Sequence, residues 1–383
     1  MISLLLVVIY LSFISLGLPD SLLGAAWPTM QPLLGVPISY AGYISMIISC
    51  GTVISSLFSD KLLRRFGTGV LVAGSVLLTA VALFGFSVSA QFWMLCLFAV
   101  PYGLGAGAVD AALNHYVAVH YASRHMSWLH CFWGVGCAVS PYIMSFYLNR
   151  NADWQGGYRA ISVLQIGLTV ILFLSLPLWK KTDAAEQEAS AAGMKLRDYL
   201  RERGVLQAMT TFFCYCALES TAGLWASSYL VQERGVPAQT AAKFAAMFYI
   251  GITAGRFICG FLTDRFGDRK MIRYGLCGIA AGVALVLLPL PKMIAPAGLV
   301  LIGFGCAPVY PCQIHATPEL FGKEQAQRLI GLQMASAYIG TTLMPPLFGV
   351  IADHAGLGMF PVFLAFFLAA LALMTEQLYA PKK

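Results

Sequence analysis

Three acids sit deep inside otherwise apolar stretches: Asp20 in ISLGLPDSLLGAAW, Asp110 in GAGAVDAALNHY and Glu219 in CYCALESTAGLW. An ionised side chain at the centre of a bilayer costs roughly 3 kcal/mol on insertion scales, so such acids face a cavity or a partner. A carboxyl that takes up a proton when sealed and releases it when water enters can couple proton flow to solute movement. Asp110 is the strongest candidate for that role, with Asp20 and Glu219 as further coupling acids. Arg256 is the basic residue that also falls inside an apolar stretch, and pairing with it is the structural alternative for Glu219.

Polar and aromatic residues recur at helical spacing around these acids. Asn114 follows Asp110 by one turn, Trp27 follows Asp20 by two, and Trp133 follows His130 by nearly one. Tyr215 and Glu219 share a face with Trp225 beyond, Tyr310 pairs with Gln313, and Gln333 with Ser336. Carboxylates, amides and indoles suit a sugar, whose hydroxyls need donors and acceptors while its C–H face packs on aromatic rings. The expected solute-contacting set is therefore Trp27, Asp110, Asn114, His130, Trp133, Glu219, Trp225, Tyr310, Gln313 and Gln333. Trp93, Trp154 and Trp179 fall at segment ends and are assigned to interfacial aromatic belts.

The elements that must position these residues follow from composition. Of 383 residues, 59% are hydrophobic and only 11% charged, whereas soluble domains are about 25% charged. Twelve apolar runs are long enough to cross a hydrocarbon core of about 30 Å as helices: 2–31, 39–59, 68–89, 92–120, 125–149, 156–179, 204–233, 238–263, 268–289, 293–317, 325–352 and 357–379. The first lacks the basic leader and cleavage site of a signal peptide and is read as a retained helix. With the N-terminus inside, 18 of the 24 Lys and Arg fall in cytoplasmic segments and five in external ones, the positive-inside pattern. Both termini are then cytoplasmic, the chain is a multi-pass protein of the cytoplasmic (inner) membrane, and its net charge of +7 gives no reason to expect nucleic acid.

The ten cysteines all lie within spans and give neither a disulfide framework nor a metal spacing, and Cys312 with His315 is a lone pair on one helix. No nucleophile–base constellation and no phosphate loop is present, so no enzyme, metal or cofactor is expected.

The polar stretch KKTDAAEQEASAAGMKLRDYLRERG divides the chain into an N-terminal half 1–179, a cytoplasmic linker 180–203 and a C-terminal half 204–383. The halves repeat weakly. Asp20-Ser21 with Gly24 matches Glu219-Ser220 with Gly223, and Gly35-Val36-Pro37 matches Gly235-Val236-Pro237. Gly103-x-Gly105 matches Gly303-x-Gly305, His115 matches His315, and Asp60 answers Asp264. In this register Asp110 falls opposite Tyr310. An acid needed only to hold the repeat together would have an acidic counterpart there, which marks Asp110 as a site residue.

GFLTDRFGDRK at 260–270 closely resembles the loop signature of the major facilitator superfamily, with SLFSDKLLRRFG as a divergent first copy. The resemblance covers essentially the whole chain. It implies an all-α membrane fold of twelve helices in two pseudo-symmetric six-helix bundles, rocking about a midplane site, with Asp60, Gly260, Asp264, Arg265 and Gly267 as a gating loop. VDAALNHYV at 109–117 resembles the fourth-helix motif of the fucose/galactose:proton symporter family. SWLHCFWGVGCAVSP at 127–141 is similar to the fifth helix of that family and of its sodium-dependent glucose transporter-like relatives. That likeness implies Asp110 and Asn114 facing sugar and coupling ion, Asp20 as a proton site and His130 as sugar-facing. His130 and Trp133 depart from the glutamine and asparagine common there. The expected function is proton-coupled symport of a sugar by a monomer. The alternatives are sodium coupling and a drug or metabolite:proton antiporter, whose glycine-rich fifth-helix signature is interrupted here by Ser140, Met144 and Ser145.

Overall fold

A computed structural model describes residues 4–121, 123–179, 204–288, 291 and 294–380. Between short turns, the described residues are helical. The helices are α1 (Leu4–Asp20), α2 (Leu22–Leu34), α3 (Tyr40–Phe66), α4 (Thr68–Val88), α5 (Phe92–His120), α6 (Ser123–Leu148) and α7 (Trp154–Leu174). After the linker, which lies outside the described residues, follow α8 (Val205–Gln232), α9 (Ala238–Phe266), α10 (Asp268–Leu287), α11 (Ala295–Phe321), α12 (Lys323–Ala355) and α13 (Phe360–Leu378).

Among the described residues, eleven segments are long and apolar enough to cross a membrane, with α1 and α2 together counting as one. The helix α8 has 28 residues, ample length to cross, but Glu219 and its Ser, Thr and Tyr residues dilute its apolarity and it is not among the eleven. Together they form an all-helical membrane protein of eleven to twelve spans.

The expected first run, 2–31, is two helices. Pro19 has no N–H to donate, and the helix is interrupted at Ser21, whose hydroxyl donates to the Cys137 carbonyl at 2.8 Å and meets the Ser140 hydroxyl at 2.6 Å. The break puts Asp20 at the end of α1.

Packing is repeated with an offset of 200. A Cβ on Gly103 would strike the Ile48 carbonyl, and one on Gly303 the Phe248 carbonyl. Gly105 meets the Ser75 carbonyl, and Gly305 the Gly275 carbonyl. Small residues at these crossings let backbones approach closely. Gly67 (φ 77°, ψ 161°) and Gly267 (φ 76°, ψ 156°) adopt the same glycine-only conformation and end α3 and α9 at Phe66 and Phe266.

This register corrects one sequence match. Asp60 lies opposite Gly260, not Asp264, which falls opposite Arg64. The apparent pairing of Asp60 with Asp264 matched letters across a four-residue slip.

The two sets of helices touch where α6 crosses α9, α3 crosses α12, and α2 crosses α8. Several of these contacts cluster toward one end of the molecule. There the Ser39 N–H donates to Asp353 Oδ1 at 3.1 Å and the Ser145 hydroxyl to the Gln239 carbonyl at 2.7 Å. At the same end Gly42 abuts Pro346.

Candidate functional site

Asp20 is held from two sides. The Tyr102 hydroxyl on α5 donates to its Oδ1 at 3.0 Å, and the Trp133 indole N–H on α6 donates to its Oδ2 at 2.8 Å. The residue is nevertheless exposed, so these bonds sit at the edge of open space. The guanidinium of Arg256, from α9 in the other set of helices, lies 5.3 Å from the Trp133 ring centroid. Its Nη2 is 3.7 Å from Glu219 Oε1 on α8. One chain of contacts thus crosses between the halves: Tyr102, Asp20, Trp133, Arg256, Glu219.

Glu219 is less well satisfied than Asp20. Its Oε1 is buried without a hydrogen bond, and so is the Tyr215 hydroxyl, the uncharged polar group beside both Glu219 and Arg256. The separation from Arg256 exceeds the 2.7–2.9 Å of a charge-assisted hydrogen bond. The expected structural alternative for Glu219, neutralisation by Arg256, is present as a loose pair.

Asp110 is half-buried in α5, and the Asn114 amide one turn on donates to its Oδ1 at 2.9 Å and to its carbonyl at 3.0 Å. Among the described residues no cation pairs with it. Tyr310 on α11 and Tyr338 on α12, both in the second half, lie within its electrostatic reach. Tyr310 donates to the Met334 sulfur at 3.1 Å and packs its ring 6.1 Å from Tyr215. His130, half-buried on α6, sets its ring edge-on to Phe13 at 5.8 Å and faces the field of Arg256.

The structure thus brings Asp20, Asp110, Asn114, His130, Trp133, Glu219 and Tyr310 to the facing surfaces of the two halves. It does not bring Trp27 and Trp225. Both are completely buried, with indole N–H groups given to the carbonyls of Ile38 at 3.0 Å and Pro345 at 2.9 Å. They anchor the closed end rather than line an opening. Gln333 is buried and accepts from Thr317 at 3.2 Å. Gln313 is buried with neither amide atom hydrogen-bonded. Of the belt residues, Trp93 is 60% exposed, but Trp154 is buried edge-on against Tyr158, so it belongs to the core.

Gly260 falls within α9, and the side chains of Asp60 and Asp264 lie outside what the structure describes. Arg265 is exposed over the Phe266 ring, and Gly267 makes the turn into α10.

Tyr102 and Tyr338 were not anticipated. A phenol in an apolar span was the available signal, but the Tyr102–Asp20 contact spans 82 residues and no local spacing points to it.

The Major Facilitator Superfamily profile matches residues 9–289 and 208–380. Among curated proteins, Bypass of stop codon protein 6 of Saccharomyces cerevisiae is 22% identical, covering 96% of this chain and 80% of its own length. The cis,cis-muconate transport protein of Acinetobacter baylyi is 23% identical, covering 83% and 80%. The glucose/mannose transporter GlcP of Bacillus subtilis is 22% identical, covering 81% and 76%. Among solved structures, that of a D-xylose-proton symporter superposes with a TM-score of 0.76 at 12% identity, covering 97% of this chain and 96% of the other.

Proposed function

The chain belongs to the major facilitator superfamily and is a secondary transporter, and from that premise we propose that it moves a small polar solute of the sugar class by proton-coupled symport with alternating access. The observation that carries this reading is Asp110. It is a half-buried acid with one oxygen held by Asn114, no cationic partner among the described residues, and tyrosines of the other half within its electrostatic reach. Such a group can exchange a proton with water on whichever side the halves open. Asn114, His130, Trp133 and Tyr310 supply the amide, imidazole, indole and phenol that hydroxyls and C–H faces need.

In this reading residues 1–179 and 204–383 are the rocking bodies, joined through the cytoplasmic segment 180–203, and the protein works as a monomer in the cytoplasmic membrane with both termini inside. Asp60, Gly260, Asp264, Arg265 and Gly267 form the latch at the cytoplasmic end. The antiporter alternative is disfavoured because Ser140 and Ser145 are committed to contacts with Ser21 and with the Gln239 carbonyl, while Met144 is buried.

The purified protein is screened by thermal shift against hexoses, pentoses, amino sugars and cationic drugs, since a bound ligand raises apparent stability. The stabilising solute is then added to proteoliposomes with a pH-sensitive dye. A sugar that stabilises the protein and alkalinises the outside medium during uptake supports the reading. Uptake that needs sodium and moves no protons overturns the proton assignment, and stabilisation by cationic drugs alone overturns symport.

A further inference from the structure

Arg256 has more hydrogen-bonding capacity than the protein uses. Its side chain is 16% exposed and that of Glu219 20%, so neither is dispersed into bulk water. A guanidinium carries five N–H donors in a planar fork. Among the described residues the Tyr215 hydroxyl is the uncharged hydrogen-bonding group beside them, and the nearest carboxylate oxygen in an ion pair stands off at 3.7 Å. Were the arginine present only to neutralise Glu219, burial of both would favour closing that gap to a bidentate pair, because a partly buried ion pair is stable only with good geometry. The gap is instead lined by buried atoms that make no well-formed hydrogen bond, Glu219 Oε1 and the Tyr215 hydroxyl. Buried polar atoms left unpaired call for an explanation, and an absent ligand is one.

We propose that Arg256 is the docking group for an anion, and that the transported solute is a hydroxylated carboxylate of the sugar-acid class, bound with its carboxylate on the guanidinium fork and carried with a proton on Glu219. A neutral hydroxyl cannot fill that fork, whereas a carboxylate matches it bidentately. The Trp133 ring, its centroid 5.3 Å from the guanidinium carbon, covers one side of the fork.

Charge sets the coupling. With Glu219 ionised, the solute's carboxylate must compete with it for one cation. With Glu219 protonated, Arg256 is free, and the incoming anion restores neutrality at the pair. One proton therefore moves from water to a Glu219 oxygen for each anion bound, no covalent bond changes, and this proton offsets the charge of the monoanion; the proton exchanged at Asp110 is additional to it. The titratable groups facing this pair are Tyr215 and Cys216 on α8, Tyr249 on α9, Cys306 and Tyr310 on α11, and His130, Cys131 and Cys137 on α6. Asp20 on α1 completes the ring through Trp133. Glu219 is the acid among them in an ion pair with Arg256.

The inference rests on the reading of the chain as a proton symporter, and the test separates the two. Binding of D-gluconate and D-glucuronate to the purified full-length protein is measured against D-glucose at pH 6 and pH 8. The expected result is binding of an acid, tighter at pH 6 by at least fivefold, with no comparable binding of glucose. Arg256→Lys should weaken the acid at least tenfold, since it keeps the charge but loses the fork. Glu219→Gln should remove the pH dependence of binding and, in proteoliposomes, allow acid exchange without proton uptake. The double variant R256Q/E219Q leaves no lone charge in the span and should fold while binding no acid. Proton-coupled uptake of glucose, with no acid bound and R256K unaffected, overturns the carboxylate assignment and leaves sugar symport standing. Binding of neither acids nor glucose overturns both.

Discussion

Asp20 and Asp110 are both acids inside apolar helices, yet their surroundings suit them to different tasks. Each oxygen of Asp20 already accepts a hydrogen bond, from Tyr102 and from Trp133, so a proton arriving on either oxygen weakens a bond already in place. Asp110 has one oxygen held by Asn114 and the other without a hydrogen bond among the described residues, so a proton can arrive without dismantling anything. Replacing Asp110 by Asn keeps the shape and removes the exchange. Asp110→Asn is expected to lower proton-driven accumulation at least tenfold in proteoliposomes while solute-for-solute exchange continues; accumulation at the original level would return Asp110 to the scaffold. Trp133 is tested by Phe, which keeps a ring for Arg256 to stack on but deletes the N–H bonded to Asp20. A hydrogen bond to a charged group contributes about 1.5–3 kcal/mol. Trp133→Phe should therefore weaken solute binding about tenfold, or ~1.4 kcal/mol, with expression unchanged. Equal affinity in a titration would assign the indole to packing.

At the level of helices, what the sequence discloses is uneven for a physical reason. Gly103-x-Gly105 and Gly303-x-Gly305 are visible as letters because duplication copied them, but only the packed structure tells what they meet: the carbonyls of Ile48 and Ser75 in one half, and of Phe248 and Gly275 in the other. The apolar runs fix the number of spans, since a bilayer demands about 20 such residues per helix. They do not fix rotation about a helix axis. Trp27 and Trp225 were therefore expected to face a solute and are found sealed in the core, and the interruption at Ser21 is hidden inside one continuous apolar run. If the repeated crossings are equivalent, the same insult should cost the same in both halves. Gly103→Ala and Gly303→Ala each put a methyl against a backbone carbonyl, and overpacking of this kind costs about 1–3 kcal/mol. Both should lower the thermal midpoint in detergent by similar amounts. Gly74→Ala and Gly167→Ala, where nothing stands within 4 Å of the added carbon, should not. A large drop at one crossing and none at the other would refute the equivalence.

For the molecule as a whole, the question is which contacts must break for the halves to rock, and these were the least legible in the sequence. The Ser39–Asp353 bond joins residues 314 apart, and Ser145 reaches Gln239 across 94. No periodicity or motif encodes a pairing between halves that exists in only one state of a cycle. Around this end the halves approach backbone to backbone: Gly24 against Gly223, Gly42 against Pro346, and Gly349 against Ser39 and the Trp225 ring. The contacts at this end combine close backbone packing with these two hydrogen bonds, so opening it requires the separation of both. Alternating access then predicts that a covalent tie here stops turnover without stopping binding. The pair Ser39→Cys with Asp353→Cys, joined by a short thiol-reactive crosslinker, should abolish net transport and leave the thermal shift with solute intact, because the site stays reachable from the opposite end. A cleavable crosslinker followed by reductant should restore transport. Cys50 and Cys277 are exposed, so the unsubstituted protein treated identically is the necessary control. Undiminished transport by the tied protein would mean that this end never opens and that the halves do not alternate about the Asp110 site.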